Sequence, residues 1–131
     1  MILVDTSVWY ELFDKDSQKH ETISDWYRRN QEPLLTTDLI IVETVTLLRA
    51  RGRNDKSLLA GQALFAGALA AIYFLSPEEY REVWGVFQRY SDKDWSFTDC
   101  ASKYLLEKLQ ITRAATLDHH FRQFGTIEVL P

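Results

Sequence analysis

The sequence opens with Met-Ile-Leu-Val-Asp-Thr-Ser-Val-Trp, residues 1–9, and this stretch decides the fold. Its Ile-Leu-Val is a short continuous apolar run, which is typical of a central strand in a parallel sheet that is covered on both faces. The run ends at a carboxylate, Asp5, and Thr6 or Ser7 can then cap a helix that starts near Val8. We therefore expect Asp5 in the crevice where a strand gives way to a helix, which is where open α/β sheets bind ligands.

Strands and helices alternate along the rest of the chain. Apolar runs predict further strands at Leu34–Thr36, Ala71–Leu75, Ala114–Leu117 and Ile127–Leu130. Apolar residues at helical spacing predict helices at Val8–Phe13, at His20–Arg29, from Thr37 or Asp38 to about Arg51, from Asn54 or Asp55, from Ser76 to about Tyr90, and at Phe97–Leu109. The alternation predicts right-handed β–α–β units and a three-layer α/β/α sandwich with a mostly parallel central sheet.

Length and composition predict a single domain over residues 1–131. Of the 131 residues, 46% are hydrophobic, which is enough for a proper core. No apolar run approaches the ~20 residues that a transmembrane helix needs, and the N-terminus lacks the features of a signal peptide. We expect a cytoplasmic protein with no membrane association. The one cysteine, Cys100, excludes an internal disulfide framework and a thiolate zinc cluster, so we expect a small buried side chain there.

The net charge of −4 argues against a protein that holds nucleic acid by bulk electrostatics, because phosphate contacts need a basic surface. Local charge matters more. If several of the 19 acidic residues gather in one pocket, bound cations would reverse the sign of that pocket.

Asp5 and Asp118 occupy equivalent positions, since each follows a short apolar strand. The carboxyl ends of parallel strands lie on one edge of a sheet, so two separate strands deliver carboxylates to one crevice. The alternative for each residue alone is an ordinary turn or helix-capping role.

Glu43 emerges from a largely apolar helical stripe. Its neighbours three and four positions away are Leu39, Ile40, Thr46 and Leu47. Acids are almost never fully buried unless they are paired. Two interpretations stay open: a core salt bridge to an arginine, or a stripe that faces the crevice and offers the carboxylate to a metal ion.

Asp99 has a strong structural interpretation. Ser96-Phe97-Thr98-Asp99 fits a capping box, with Asp in place of the usual Glu at the third helical position. The capping and metal-binding roles are compatible, because a carboxylate in the first helical turn can also point outward. Asp94, in the preceding loop, is expected either to be solvated or to contact the metal-ligating residues without binding the metal itself.

Four carboxylates at one edge of a sheet would repel one another. Two unit charges ~4 Å apart at an effective dielectric of ~20 cost about 4 kcal/mol, so such a cluster needs cations. Oxygen ligands suit hard ions, and Mg²⁺ or Mn²⁺ is therefore expected in preference to zinc. The three histidines form no ligand motif. His119 and His120 follow Asp118 and could touch a phosphate, although histidines in such places more often face solvent.

Four motifs together resemble a PIN domain, in particular a VapC-like toxin ribonuclease of a type II toxin–antitoxin system. They are Val-Asp-Thr-Ser near the N-terminus, a mid-chain helical Glu, Phe-Thr-Asp-Cys, and Thr-Leu-Asp-His-His-Phe near the C-terminus. The resemblance covers the whole chain in length, element order and motif order. It implies a metal site at Asp5, Glu43, Asp99 and Asp118, supported by the hydroxyls of Ser7 and Thr116. It also implies Mg²⁺- or Mn²⁺-dependent cleavage of RNA phosphodiester bonds, a homodimer, and an antitoxin partner that blocks the site.

Such a cluster suits hydrolysis by metal-activated water. One metal lowers the pKa of a bound water, and a second, ~3.5–4 Å away, stabilises the leaving oxygen, so no side chain need act as nucleophile. The number of metals stays open. Arg49, Arg51 and Arg53, with Lys56, form the one dense basic run. They are candidates for RNA or antitoxin contact. The alternative is an ordinary solvated helix end, where cations also interact favourably with the helix dipole.

Other enzymes with an aspartate after the first strand fit less well. A haloacid-dehalogenase-type phosphatase needs a second Asp two residues later, where this chain has Ser7. A receiver domain needs a paired acid at the first strand and a lysine after the last strands, and neither is present. The more serious alternative is a non-catalytic RNA-binding or protein-interaction module of the same fold. The acid set argues against it, because a binding surface has no use for four convergent like charges.

Overall fold

A sheet of five parallel strands forms the centre of the protein, and a computed structural model describes all of residues 1–131. The strands are β1 (Ile2–Val4), β2 (Leu34–Thr37), β3 (Ala71–Tyr73), β4 (Arg113–Ala115) and β5 (Glu128–Leu130). The helices are α1 (Thr6–Phe13), α2 (His20–Arg29), α3 (Asp38–Ala50), α4 (Asn54–Phe65), α5 (Pro77–Arg89), α6 (Phe97–Lys108) and a 3₁₀ helix, His119–Gln123. The predicted three-layer α/β/α sandwich is confirmed. None of these helices is long and apolar enough to cross a membrane.

The strand order creates a switch point between β1 and β4. The order across the sheet is β3-β2-β1-β4-β5, and every neighbouring pair is parallel. From β1 the chain moves outward through β2 to β3, then crosses to β4 on the other side of β1 and moves outward again to β5. The segments that leave β1 and β4 therefore diverge. Open α/β sheets bind ligands in the crevice that such a divergence leaves, and here Asp5 and Asp118 lie beside it.

Buried aromatic side chains anchor the two segments that flank this crevice. All residues of β1 (Ile-Leu-Val) and β2 (Leu-Leu-Thr-Thr) are buried. Trp9 and Phe121 are the largest fully buried side chains, and they follow closely after Asp5 and Asp118. Burying such a side chain stabilises the fold by ~1.5–3 kcal/mol. Trp9 also donates from Nε1 to Thr36 Oγ1 at 3.3 Å. The acids are thus attached to well-packed backbone.

The prediction for the start of the first helix was wrong. The helix begins at Thr6, two residues earlier than expected, and its cap is Asp5 rather than Thr6 or Ser7. The carbonyl oxygen of Asp5 accepts from the N–H groups of Val8 and Trp9 at 3.1 and 3.2 Å. Aspartate caps at least as well as serine or threonine, so the helix starts as soon as the strand ends. The carboxylate is consequently fixed at the strand–helix junction.

Three predicted strands are shorter in the structure, and beyond the ends of two of them, β3 and β4, side chains accept from the backbone N–H groups that would have extended the strand. β3 ends at Tyr73, and the N–H of Leu75 donates to Asp38 Oδ1 at 3.3 Å. β4 runs over Arg113–Ala115 rather than Ala114–Leu117, and the N–H of Leu117 donates to Ser7 Oγ at 2.9 Å. β5 begins one residue later than predicted, and β2 extends one residue further.

Candidate active site

Two hydroxyls hold Asp5 at the switch point. The Asp5 side chain is buried, and its Oδ2 accepts from Ser7 Oγ at 2.9 Å and from Thr116 Oγ1 at 3.0 Å. The same hydroxyls accept in turn from backbone N–H groups after β4: Ser7 Oγ from Leu117 and Thr116 Oγ1 from Asp118, each at 2.9 Å. The structure therefore brings Ser7 and Thr116, the two predicted supporting hydroxyls, into contact with Asp5. It also ties the end of β1 to the end of β4.

Burial raises the pKa of Asp5 to about 6. The charge of Asp99 acts in the same direction, while the hydrogen bonds from Ser7 and Thr116 lower the pKa. A carboxylate that is largely removed from water loses hydration of its charged form, and the two hydroxyls replace only part of it. A nearby cation would supply the remainder.

Asp99 forms the predicted capping box, which is confirmed. Its Oδ2 accepts from the N–H of Ser96 at 3.0 Å, and Ser96 Oγ accepts from the N–H of Asp99 at 3.0 Å. The same Oδ2 lies 3.1 Å from Nδ1 of His120. The cap thus fixes Asp99 in the first turn of α6, while the carboxylate still takes part in a contact with a distant segment.

His120 bridges two of the acids, a role that the sequence did not reveal. Its Nδ1 lies 3.1 Å from Asp99 Oδ2 and 3.2 Å from Asp118 Oδ1. Ionised carboxylates only accept hydrogen bonds, so we assign the ring proton to Nδ1. The side chain of His119 is 78% exposed and that of His120 only 17%. Of the two histidines, His119 therefore has the commoner solvent-facing position and His120 does not.

The turn after Asp118 is what directs His120 inward. Asp118 Oδ1 accepts from the N–H of His120 at 2.9 Å and caps the 3₁₀ helix. This places one ligand atom each from Asp118, His119 and His120 within 4.8 Å of one another. Histidine nitrogens therefore lie nearer the candidate metal site than the sequence indicated. An Asp followed two residues later by His was the one available signal.

Each of the three aspartates keeps one oxygen free of donor side chains. All side-chain contacts to Asp5 and Asp99 fall on Oδ2, and those to Asp118 fall on Oδ1. The second oxygen of each carboxylate is left for another partner. Carboxylate oxygens from separate segments are the ligands that hard divalent cations prefer. The residues present therefore fit a hard divalent cation.

Glu43 and Asp94 are not in hydrogen-bond contact with the three aspartates. Glu43 lies on α3, is half-buried, and forms no hydrogen bond or ion pair, so the salt bridge to an arginine is absent. A half-buried carboxylate with no partner is compatible with a metal ligand. Asp94 is exposed and makes no side-chain contact, as expected of a solvated acid.

The basic run after Glu43 is engaged within the fold. Arg49 Nε donates to Asn54 Oδ1 at 2.7 Å, and the guanidinium of Arg51 lies over a tyrosine ring, 4.8 Å from its centroid. Arg53 pairs with the buried Asp14 at 3.4 Å. These contacts give the three arginines structural roles at the α3–α4 connection. Their contact with RNA or an antitoxin stays a prediction.

The raised pKa of Asp5 predicts a pH-dependent stability in metal-free buffer. The ordinary pKa of an aspartate is 3.8, and burial raises that of Asp5 to about 6. Between these two pH values, the folded protein holds a proton on Asp5 that the unfolded chain has released. The free energy of unfolding therefore falls as the pH rises through this window, by about 3 kcal/mol in total. Asp5→Asn cannot titrate and should not show this fall. Urea denaturation of both proteins from about pH 4 to pH 7 measures the difference, and parallel curves would contradict it.

Comparison with known proteins gives one family and a consistent set of relatives. The PIN domain family model matches residues 2–126. The protein named 23S rRNA-specific endonuclease VapC20, from two strains of Mycobacterium tuberculosis, is 26% identical over 131 residues, which is 100% of this chain and 99% of the relative. The crystal structure of Mycobacterium tuberculosis VapC20, described as a Sarcin-Ricin loop cleaving toxin, matches with a TM-score of 0.90 and 24% identity over 100% of both chains.

Two further solved structures share the fold. PAE2754 from Pyrobaculum aerophilum matches with a TM-score of 0.67 and 18% identity, over 98% of this chain and 88% of the other. FitAcB from Neisseria gonorrhoeae matches with a TM-score of 0.65 and 16% identity, over 100% and 97% of the two chains. At these identities the likeness concerns the fold alone.

Proposed function

The chain belongs to the PIN domain family, and on that basis we propose that it is a Mg²⁺- or Mn²⁺-dependent endoribonuclease, the toxin of a toxin–antitoxin pair. The observation that carries the proposal is the set of three aspartates at the switch point, each with one oxygen free of donor side chains. RNA as substrate is supported by the relative named as a 23S rRNA-specific endonuclease. Ribosomal RNA is accordingly the first substrate to test.

Asp5, Asp99, Asp118 and Glu43 are the residues that we propose to hold the cation. A hard divalent cation, when bound, activates water and neutralises charge at the phosphate. The surrounding side chains keep the ligands in position. Ser7 and Thr116 donate to one oxygen of Asp5 and so fix the direction of the other. His120 contacts both Asp99 and Asp118 through Nδ1, and these contacts limit how far the repulsion between the two carboxylates can separate them.

We further propose that the protein acts in the cytoplasm as a homodimer and that an antitoxin protein blocks the site. Exposed apolar side chains on three helices support protein–protein contact: Val42, Leu58, Leu59, Phe65, Trp84 and Phe87. Co-purification of this chain with the product of a neighbouring small reading frame, together with loss of cleavage in the complex, would establish the toxin role. A stand-alone nuclease would show neither.

Cleavage of RNA should require a divalent metal. We expect cutting with Mg²⁺ or Mn²⁺, loss of cutting in excess EDTA, and recovery when metal is restored, because water alone is a poor nucleophile at neutral pH. Cys100→Ser is the control, since that thiol is buried and has no place in an oxygen-ligand site; it should cleave like the wild type. Gel assays on ribosomal RNA measure all of these. Full activity in EDTA would rule out the metal requirement. RNA binding without cleavage would favour a non-catalytic module.

A further inference from the structure

A cationic cavity adjoins the candidate metal site. It has a volume of about 210 Å³, and Thr116 and Asp118 line it, so it is continuous with the acid cluster. The other charged or titratable side chains in its lining are Lys19, His119 and Arg122. Lys19 comes from the start of α2 and Arg122 from the 3₁₀ helix, so two distant segments deliver cations to one small space.

The charged groups of Lys19 and Arg122 have no partner within the protein. Both residues are exposed, and neither forms an ion pair or a side-chain hydrogen bond; only the backbone N–H of Lys19 donates, to Glu11 at 3.3 Å. Arg53 and Arg113, by contrast, are paired with carboxylates. The two cations also stay unpaired with Asp118, although all three line the same cavity. Their charges are therefore available to an anionic ligand.

An RNA strand supplies such a ligand if the proposed function holds, on which this inference rests. A strand that presents one phosphate to the metal site carries the next phosphate with it. The acid cluster repels that flanking phosphate unless a cation offsets the charge. Arginine binds phosphate through a rigid fork of donors, and lysine binds it as a point charge. We propose that Lys19 and Arg122 bind the RNA phosphate next to the one that is cleaved.

The test is steady-state cleavage of an RNA oligonucleotide with a mapped cut site. In Lys19→Gln with Arg122→Gln, we expect KM to rise about tenfold, while kcat stays within about twofold. The dependence of log(kcat/KM) on log salt concentration should become less steep, by about 0.7 for each lost phosphate contact. Arg81→Gln with Arg89→Gln removes the same charge from α5, outside the cavity, and should change KM much less.

A second arm locates the contact on the RNA. An uncharged methylphosphonate linkage beside the cut should raise KM for the wild type by a similar factor and have no further effect on the double variant. A KM equal to that of the α5 control, or an undiminished effect of the linkage in the double variant, would overturn the proposal. If the wild type cleaves no RNA at all, the proposed function fails instead. The RNA affinities of the wild type and the double variant, measured by fluorescence anisotropy in chelator, then test whether the cavity binds RNA. Equal affinities count against the proposal.

Discussion

Asp99→Asn is expected to fold normally and to cleave RNA at least about a hundredfold more slowly than the wild type. The structural work of Asp99 falls on Oδ2, which accepts from the N–H of Ser96 and contacts His120. Asparagine keeps one such oxygen but replaces the free oxygen by an amide NH₂, which cannot bind a cation. Loss of groups that merely orient metal ligands already costs 10- to 100-fold, roughly, so loss of a ligand should cost at least the upper value.

Ser96→Ala is the matched control for the capping role. It removes the hydroxyl that accepts from the N–H of Asp99 and should cost about 1 kcal/mol of stability, with cleavage largely intact. Thermal melting and cleavage rates measured on both variants separate the two roles. If Asp99 serves only as a cap, Asp99→Asn should fold nearly normally and also cleave RNA at the wild-type rate, and that result would sink the ligand assignment.

The positions of Asp5 and Asp118 could be predicted because they follow from sheet geometry. Each ends a short apolar run, and parallel strands bring their carboxyl ends to one edge. The helix start at Thr6 was harder, because the capping strengths of Asp, Ser and Thr differ little and three such residues stand in a row. The local sequence could not show which of the three residues would form the helix cap.

The role of His120 could not be predicted, because its partner Asp99 comes from another helix. The same holds for Arg53, which pairs with Asp14 in a different segment. Sequence spacing reveals contacts within one helix or turn, whereas these contacts depend on how the elements pack. The ends of β3 and β4 were misjudged for a related reason, since distant side chains accept from the N–H groups beyond them.

Glu43→Gln provides the second test with a large expected effect, because the structure gives this carboxylate no intramolecular partner. The side chain is half-buried on α3 and forms no hydrogen bond or ion pair. Its replacement should therefore change the free energy of unfolding by no more than about 0.5 kcal/mol. If Glu43 is a metal ligand, cleavage should still fall by at least about a hundredfold.

Metal binding distinguishes a ligand from a bystander independently of cleavage. Mn²⁺ at ~100 times its dissociation constant should stabilise the wild type by about 2.7 kcal/mol, and Glu43→Gln by clearly less at the same concentration. Glu82→Gln is the matched control, since Glu82 is exposed on α5 and also lacks a partner; it should melt, respond to Mn²⁺ and cleave like the wild type. If Glu43→Gln cleaves RNA and responds to Mn²⁺ like the wild type, the metal site consists of the three aspartates without Glu43, because the loss of a true ligand must weaken binding of the ion.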